Sequence, residues 1–337
     1  MLSPKQNFLE TLKRDGHPDR LVNQYEYGAF LRGDPINMAM HKPFYMGMDP
    51  QKDAFGTTFI WPDGYAASMP HVTDDNKVIP DITRWKEFLK LPQLAPIEND
   101  TEKWDAFRQT CETVDHENKL VMAYMPTGIF ERLHFLMGFE DLFLAFYEEP
   151  EDLSDLIKAI ADHRYRMFEM MIEKIHPDII LSHDDWGSKT SLFIKPELWR
   201  EFIKPHYERM YGMCHENNVI VVHHSDSFCE PIVEDMADCH IDVWQGVLPQ
   251  NDIVMLQQKM NGRITLQGGL ESAIADNAET SEEEVRRHVR ETCELFGPGG
   301  HFIPGVTNGG PGCLVPGRYK MIEEEIDRYN IEHFGGV

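Results

Sequence analysis

The 337 residues, 42% apolar and 11% aromatic with charges of both signs, suffice for a full hydrophobic core and exclude a chain disordered by composition. With 57 acidic against 32 basic residues the formal charge is −25, so the mean surface field repels nucleic acid, anionic lipid and polyanionic metabolites. No apolar run reaches the ~18 residues of a membrane span, the N-terminus lacks the apolar core of a secretory signal, and six cysteines without CxxC spacing read as free thiols; the expectation is a cytosolic protein.

Periodicity predicts a helix over 4–14 and a strand over 21–30. A stretch rich in Met, Pro and Gly follows over 33–80, where the alternating TTFIW at 57–61 and an Asp63-Gly64 turn predict a hairpin. Helices over 83–90 and 101–117 lead to a strand at 119–126, then helices over 127–148, bent at Gly138, and 150–175. From there strands at 178–183, 219–225, 241–247, 264–268 and 301–305 alternate with helices over 196–217, 228–237, 251–260 and 281–295, and a helix over 317–330 closes the chain. A βα repeat demands a parallel sheet. Seven visible strands plus one missed, with no glycine fingerprint for a dinucleotide, predict an α/β fold, a (β/α)8 TIM barrel spanning 1–337 as one domain, with the N-terminal insertion and its hairpin over the C-terminal mouth.

Four strands break into chemistry-bearing residues at their C-terminal ends: DIILSHDDWG at 178–187, VIVVHHSDS at 219–227, ITLQGGL at 264–270 and HFIPGVTNGGPGC at 301–313. That is where a parallel barrel collects active-site groups. His224 and Asp226 lie two apart on one strand, so their side chains share a face about 7 Å apart, while His223 points to the opposite face. With Cys313 in the last loop they supply an imidazole, a carboxylate and a thiolate, a donor set suited to zinc with an open fourth position. The alternative is that His224 and Asp226 hydrogen-bond and Cys313 packs. One of Asp184 and Asp185 faces the cavity, and burial would raise its pKa enough to make it a proton donor; the other caps a loop. Trp186 can wall a pocket, and His183 reads as a hydrogen-bonded core residue. Gln245, Gln267 and Asn308 stand at further strand ends, where neutral amides orient a polar substrate. Tyr25 and Glu26 close the first strand. Glu131 and His134, at i and i+3 of a helix, read as an exposed pair rather than as ligands.

HPDRLVN, TGIFERLHFLMGFEDL, HDDWGSKTSLFIKPELWREFIKPHYERM, VVHHSDS, LQGGLES and GCLVPGRY, in this order, resemble the uroporphyrinogen decarboxylase superfamily over nearly the whole chain. The resemblance implies a TIM barrel with its site at the C-terminal mouth. True decarboxylases of the family grip a polycarboxylate with an arginine-bearing N-terminal segment, where this chain has Tyr25, Glu26 and Tyr27. The other branch moves methyl groups to or from a corrinoid cobalt. Its thiol-specific members hold zinc with His-x-Cys and a distant Cys, so His224 and Cys313 match two ligands and Asp226 replaces the third. A harder carboxylate suits an oxygen ligand, which implies a zinc-dependent O-demethylase component. It would take the methyl group of a small methoxylated substrate to the cobalt of a separate corrinoid protein, since the chain has no DxHxxG segment of its own. In that reading Asp184 or Asp185 and His224 are catalytic, and Tyr25, Glu26, Trp61, Trp186, Gln245, Gln267 and Asn308 hold the substrate. The family implies a monomer or homodimer. The rival readings are a metal-free decarboxylase of a small aromatic or pyrrolic acid, and a non-catalytic module that binds a corrinoid or tetrapyrrole.

Overall fold

The computed structural model describes residues 1–65, 67–308 and 315–335. Apolar, β-branched runs such as Ile179-Ile180-Leu181 and Ile220-Val221-Val222 form the strands of one parallel sheet. Its members are β1 (Gly28–Phe30), β5 (Leu120–Met125), β6 (Ile179–His183), β7 (Ile220–His224), β8 (Val243–Val247), β9 (Thr265–Leu270) and β10 (Phe302–Val306), paired in that order. Alternate residues of each strand face inward. Tyr27, Leu120, Met122, Ile179, Leu181, Val222, Val243 and Ile303 fill the interior of the curled sheet, so it is a packed barrel core rather than a pore. The helix Pro4–Leu12, started by a Ser3–Gln6 capping box, plugs the N-terminal end, with the Phe8 ring stacked 3.7 Å from Tyr27.

The eight-stranded expectation is met by seven strands among the described residues. The first predicted strand, 21–30, shrinks to Gly28–Phe30 because Gln24 takes a left-handed φ of 49° and Glu26 and Gly28 close tight turns onto Asn23 and Tyr25. Side chains make the closure instead. The Tyr27 hydroxyl donates to Gln267 Oε1 on β9 (3.0 Å), and Gln267 Nε2 donates to the Gln24 carbonyl (3.2 Å). The segment before β1 is also tied to the closing helix Arg318–Phe334 through Asn330, which bonds the Leu21 backbone both ways.

The insertion carries the helix Pro35–Met40 and a three-stranded antiparallel sheet, β2 (Gln51–Lys52), β3 (Thr58–Ile60) and β4 (Met69–Pro70), one strand more than the predicted hairpin. It is pinned to the helix Ile129–Met137, which leaves the C-terminal end of β5. Thr57 Oγ1 donates to the Phe135 carbonyl, Ile79 N–H to that of Leu136, and Arg132 pairs with Asp53 at 2.5 Å in a nearly dry environment. The predicted helix over 127–148 breaks at Gly138 as expected, into Ile129–Met137 and Phe139–Glu148. The one over 196–217 breaks at Ile203, where Pro205 has no N–H to continue the ladder. No helix among the described residues is long and apolar enough to cross a membrane, and the five described cysteines are buried and free.

Candidate metal centre at the barrel mouth

Strand alternation builds the site. His183 and His224 are register partners at the ends of β6 and β7, each two residues beyond an interior side chain, Leu181 and Val222. Their rings stack 4.4 Å apart. Asp185 follows His183 by two. One donor atom from each of His183, Asp185 and His224 lies within 4.8 Å of the others. His183 Nδ1 sits 2.8 Å from Glu131 Oε2, and His224 Nδ1 contacts Gln245 Oε1, whose amide is oriented by donation from Nε2 to the Val306 carbonyl (3.4 Å). Both partners are acceptors, so each Nδ1 carries a hydrogen; His224 Nε2 offers its lone pair, and His183 Nε2 offers one once its second proton is displaced. A carboxylate or amide behind each imidazole, and a nearby carboxylate in front, is the arrangement that fixes histidine ligands around a metal.

The charges follow from burial and proximity. Burial would raise the Glu131 carboxyl, but the neighbouring His183 pulls it down to about 2. For His183, burial lowers the pKa and is outweighed by Glu131, Tyr124 and Asp185, which raise it well above the ordinary value. Burial, followed by the His183 charge, pushes His224 down to about 4. Asp185 and Asp226 both rise to about 6 through burial, Glu131 adding to the first and Asp185 to the second. Asp226 N–H donates to Asp185 Oδ1 (3.1 Å). Gly246 makes this approach possible. At φ +94° it interrupts β8 with a bulge, and a Cβ there would come within 3.1 Å of Asp226 N and of the Thr307 carbonyl.

Of the residues named from sequence, Asp185 and His224 meet at the mouth. Asp226 stands beside Asp185 without joining the three-residue cluster, and Cys313 lies outside the described residues. Asp184 is corrected from catalyst to wall. It faces away from the interior, where Oδ1 accepts from Glu131 N–H and Oδ2 from Phe130 N–H, Trp186 Nε1 and the Tyr207 hydroxyl. It thereby caps the helix Ile129–Met137, whose own N-cap, Gly128, has no side chain. Gly128 is required there, since any Cβ would overlap Asp184. Trp186 is likewise behind the wall, stacked 4.1 Å from His223, which points outward as expected.

Tyr25 and Glu26 are corrected to the N-terminal end of the barrel. They precede β1, whose Gly28 registers with the first residue of β5. There Tyr25 packs against the interior cluster, as Leu9 and Leu12 do, and Glu26 bonds Arg20 and Asn23 N–H. Gln267 spends its amide inside the barrel, and Gln245 serves His224 rather than substrate. Asn308 is at the rim, exposed, with its backbone bonded to Ser272. Trp61 is on the insertion, its Nε1 donating to the Tyr65 carbonyl. Glu131 is buried rather than exposed, and His134 stacks on Phe139. Sequence reasoning missed His183, although the period-two rule that joined His224 to Asp226 joins His183 to Asp185 equally well. It also missed Tyr124, on the interior face of β5, with the half-exposed Phe30 ring 5.4 Å away.

The uroporphyrinogen decarboxylase (URO-D) family profile matches residues 54–315. Among solved structures the chain is similar to a methyltransferase from Methanosarcina mazei, with 14% identity, a TM-score of 0.65, and coverage of 99% of this chain and 100% of that one. At that identity the likeness is one of fold. No curated protein matches the chain.

Proposed function

The chain belongs to the uroporphyrinogen decarboxylase family, and from that premise we propose that it transfers a methyl group from a small methoxylated substrate to the cobalt of a corrinoid held by a separate protein. The observation that carries the proposal is the convergence of His183, Asp185 and His224 with both Nδ1 atoms already engaged. Two nitrogens and an oxygen fit zinc, with Cys313 a further candidate ligand on the sequence argument alone. When bound, zinc would act as a Lewis acid that stabilises negative charge on the departing oxygen.

The chain's own residues do the rest. Glu131 and Gln245 engage Nδ1 of the two imidazoles, which leaves Nε2 of each as the ligating atom once the second proton of His183 is displaced. Asp226, with a pKa near 6 beside Asp185, is placed to keep a proton at the mouth and return it to the leaving oxygen. Phe30 and Tyr124 give the substrate body an apolar wall, Asn308 stands at the rim, and Trp61 is carried by the insertion. Decarboxylation of a polycarboxylate is the weaker reading, because such a substrate would meet the Glu131 and Asp185 carboxylates as like charges. The reading puts the protein in the cytosol as a monomer or homodimer.

The test is metal content of the purified protein followed by absorbance of a reduced corrinoid protein mixed with it and methoxylated compounds. Stoichiometric zinc and methylated cobalt support the proposal. Metal-free protein that decarboxylates an aromatic or pyrrolic acid would overturn it.

A further inference from the structure

Behind the mouth, between the insertion and the helix Pro150–Ile175, lies a cavity of about 20 Å3 bordered by Arg164, Arg132, His163, His41, Asn37 and Thr127. That is room for one water molecule or one monatomic ion. Arg164 is 4% exposed, and its Nη atoms donate to the carbonyls of Met125, Pro126 and Thr127 and to Ser182 Oγ, none of them charged. Its Nε is buried without a partner. A buried guanidinium satisfied only by neutral dipoles, with one donor unused, calls for an acceptor that carries charge.

The other cation at the cavity is already balanced, since Arg132 is paired with Asp53. The His163 ring is committed through Nε2 to the Pro92 carbonyl. The charge left over is the single positive charge of Arg164.

We infer that the cavity is a binding site for one monovalent inorganic anion of the halide class, held by Arg164 Nε, and that the bound anion steadies the turn from β5 into the helix Ile129–Met137. The turn needs support. Thr127 is β-branched and sits at φ +55°, a costly conformation for its type, and its carbonyl is gripped by Arg164. The same turn runs into Gly128 and Glu131, which holds His183. The anion would thus lie outside the reaction and act on the framework of the site.

Bromide is the probe. Crystals of the full chain grown in bromide should show an anomalous peak in this cavity within hydrogen-bonding distance of Arg164 Nε. In solution, at constant ionic strength, replacing gluconate by chloride should raise the folding equilibrium constant by up to about tenfold for each tenfold rise in chloride above its dissociation constant. Arg164→Lys keeps the charge but removes Nε, and should abolish that dependence. Should that variant fail to fold, the wild-type diffraction and chloride series still decide. An ordered water with no bromide signal at saturating bromide, or equal stability in chloride and gluconate, would overturn the inference.

Discussion

Glu131→Gln is the most informative single change, because it keeps shape and an acceptor oxygen while deleting the charge behind His183. The folded carboxyl lies at about 2 against 4.5 for the free group. At 1.36 kcal/mol per unit, a difference of roughly 2.5 units is worth about 3 kcal/mol. The raised pKa of His183 describes the same pair and is not added to it. Some of the hydrogen bond survives in the amide, so the expected loss of folding stability at pH 7 is about 2–3 kcal/mol. The sign with pH follows from the depressed value. The contribution is complete above about pH 4.5 and disappears as pH falls through about 2, so wild type and variant converge in acid. Metal affinity should fall by about 10–100-fold, the usual cost of losing the group behind a ligating imidazole. Urea unfolding across pH and competitive metal titration measure the two effects. Unchanged stability at pH 7 together with unchanged metal affinity would refute the account of the Glu131–His183 pair.

Gln245→Leu removes the acceptor that fixes His224 Nδ1 and should weaken metal binding by about 10–100-fold with the fold retained, as checked by metal titration and circular dichroism. Gly128→Ala sets a methyl group against Asp184 and should cost more than about 3 kcal/mol, through overpacking and loss of the helix cap, seen as a lowered urea midpoint or failure to fold. Glu325, 2% exposed at its side chain, accepts from Arg286, Arg290 and Arg328 where the helix Glu282–Phe296 meets the closing helix. Glu325→Gln should lower stability by about 2–4 kcal/mol without altering metal content, measured by urea unfolding and elemental analysis.

The barrel was legible because its signal is repeated. Apolar runs of strand length recur between helical stretches, and each strand ends in polar residues where the site must be. Gly138 announced its bend. The first strand was misread because the apolar pattern of 21–30 does not reveal the left-handed Gln24, and closure through Tyr27 and Gln267 depends on residues 240 apart.

At the site, period two put His224 and Asp185 where they were wanted, yet the pair Asp184-Asp185 could be resolved only by knowing which face was inside. Asp184 and Trp186 look chemical in sequence because a helix without a side chain at its N-cap needs a buried carboxylate from elsewhere, and that carboxylate needs donors. Sequence leaves Glu131 as an exposed partner of His134, because helical spacing says which residues share a face but not whether the face meets solvent or His183. Periodicity starts the first strand at 21 rather than at Gly28, which puts Tyr25 and Glu26 at the wrong end of the barrel.

The most direct measurement is the metal content of the wild-type protein and of the His183→Ala and His224→Ala variants, purified without chelator and compared with Asp184→Asn. One zinc per chain in wild type and Asp184→Asn, lost from both histidine variants, is the predicted result. Zinc retained by His183→Ala and His224→Ala, or absent from the wild-type protein after zinc is supplied, would contradict the centre described.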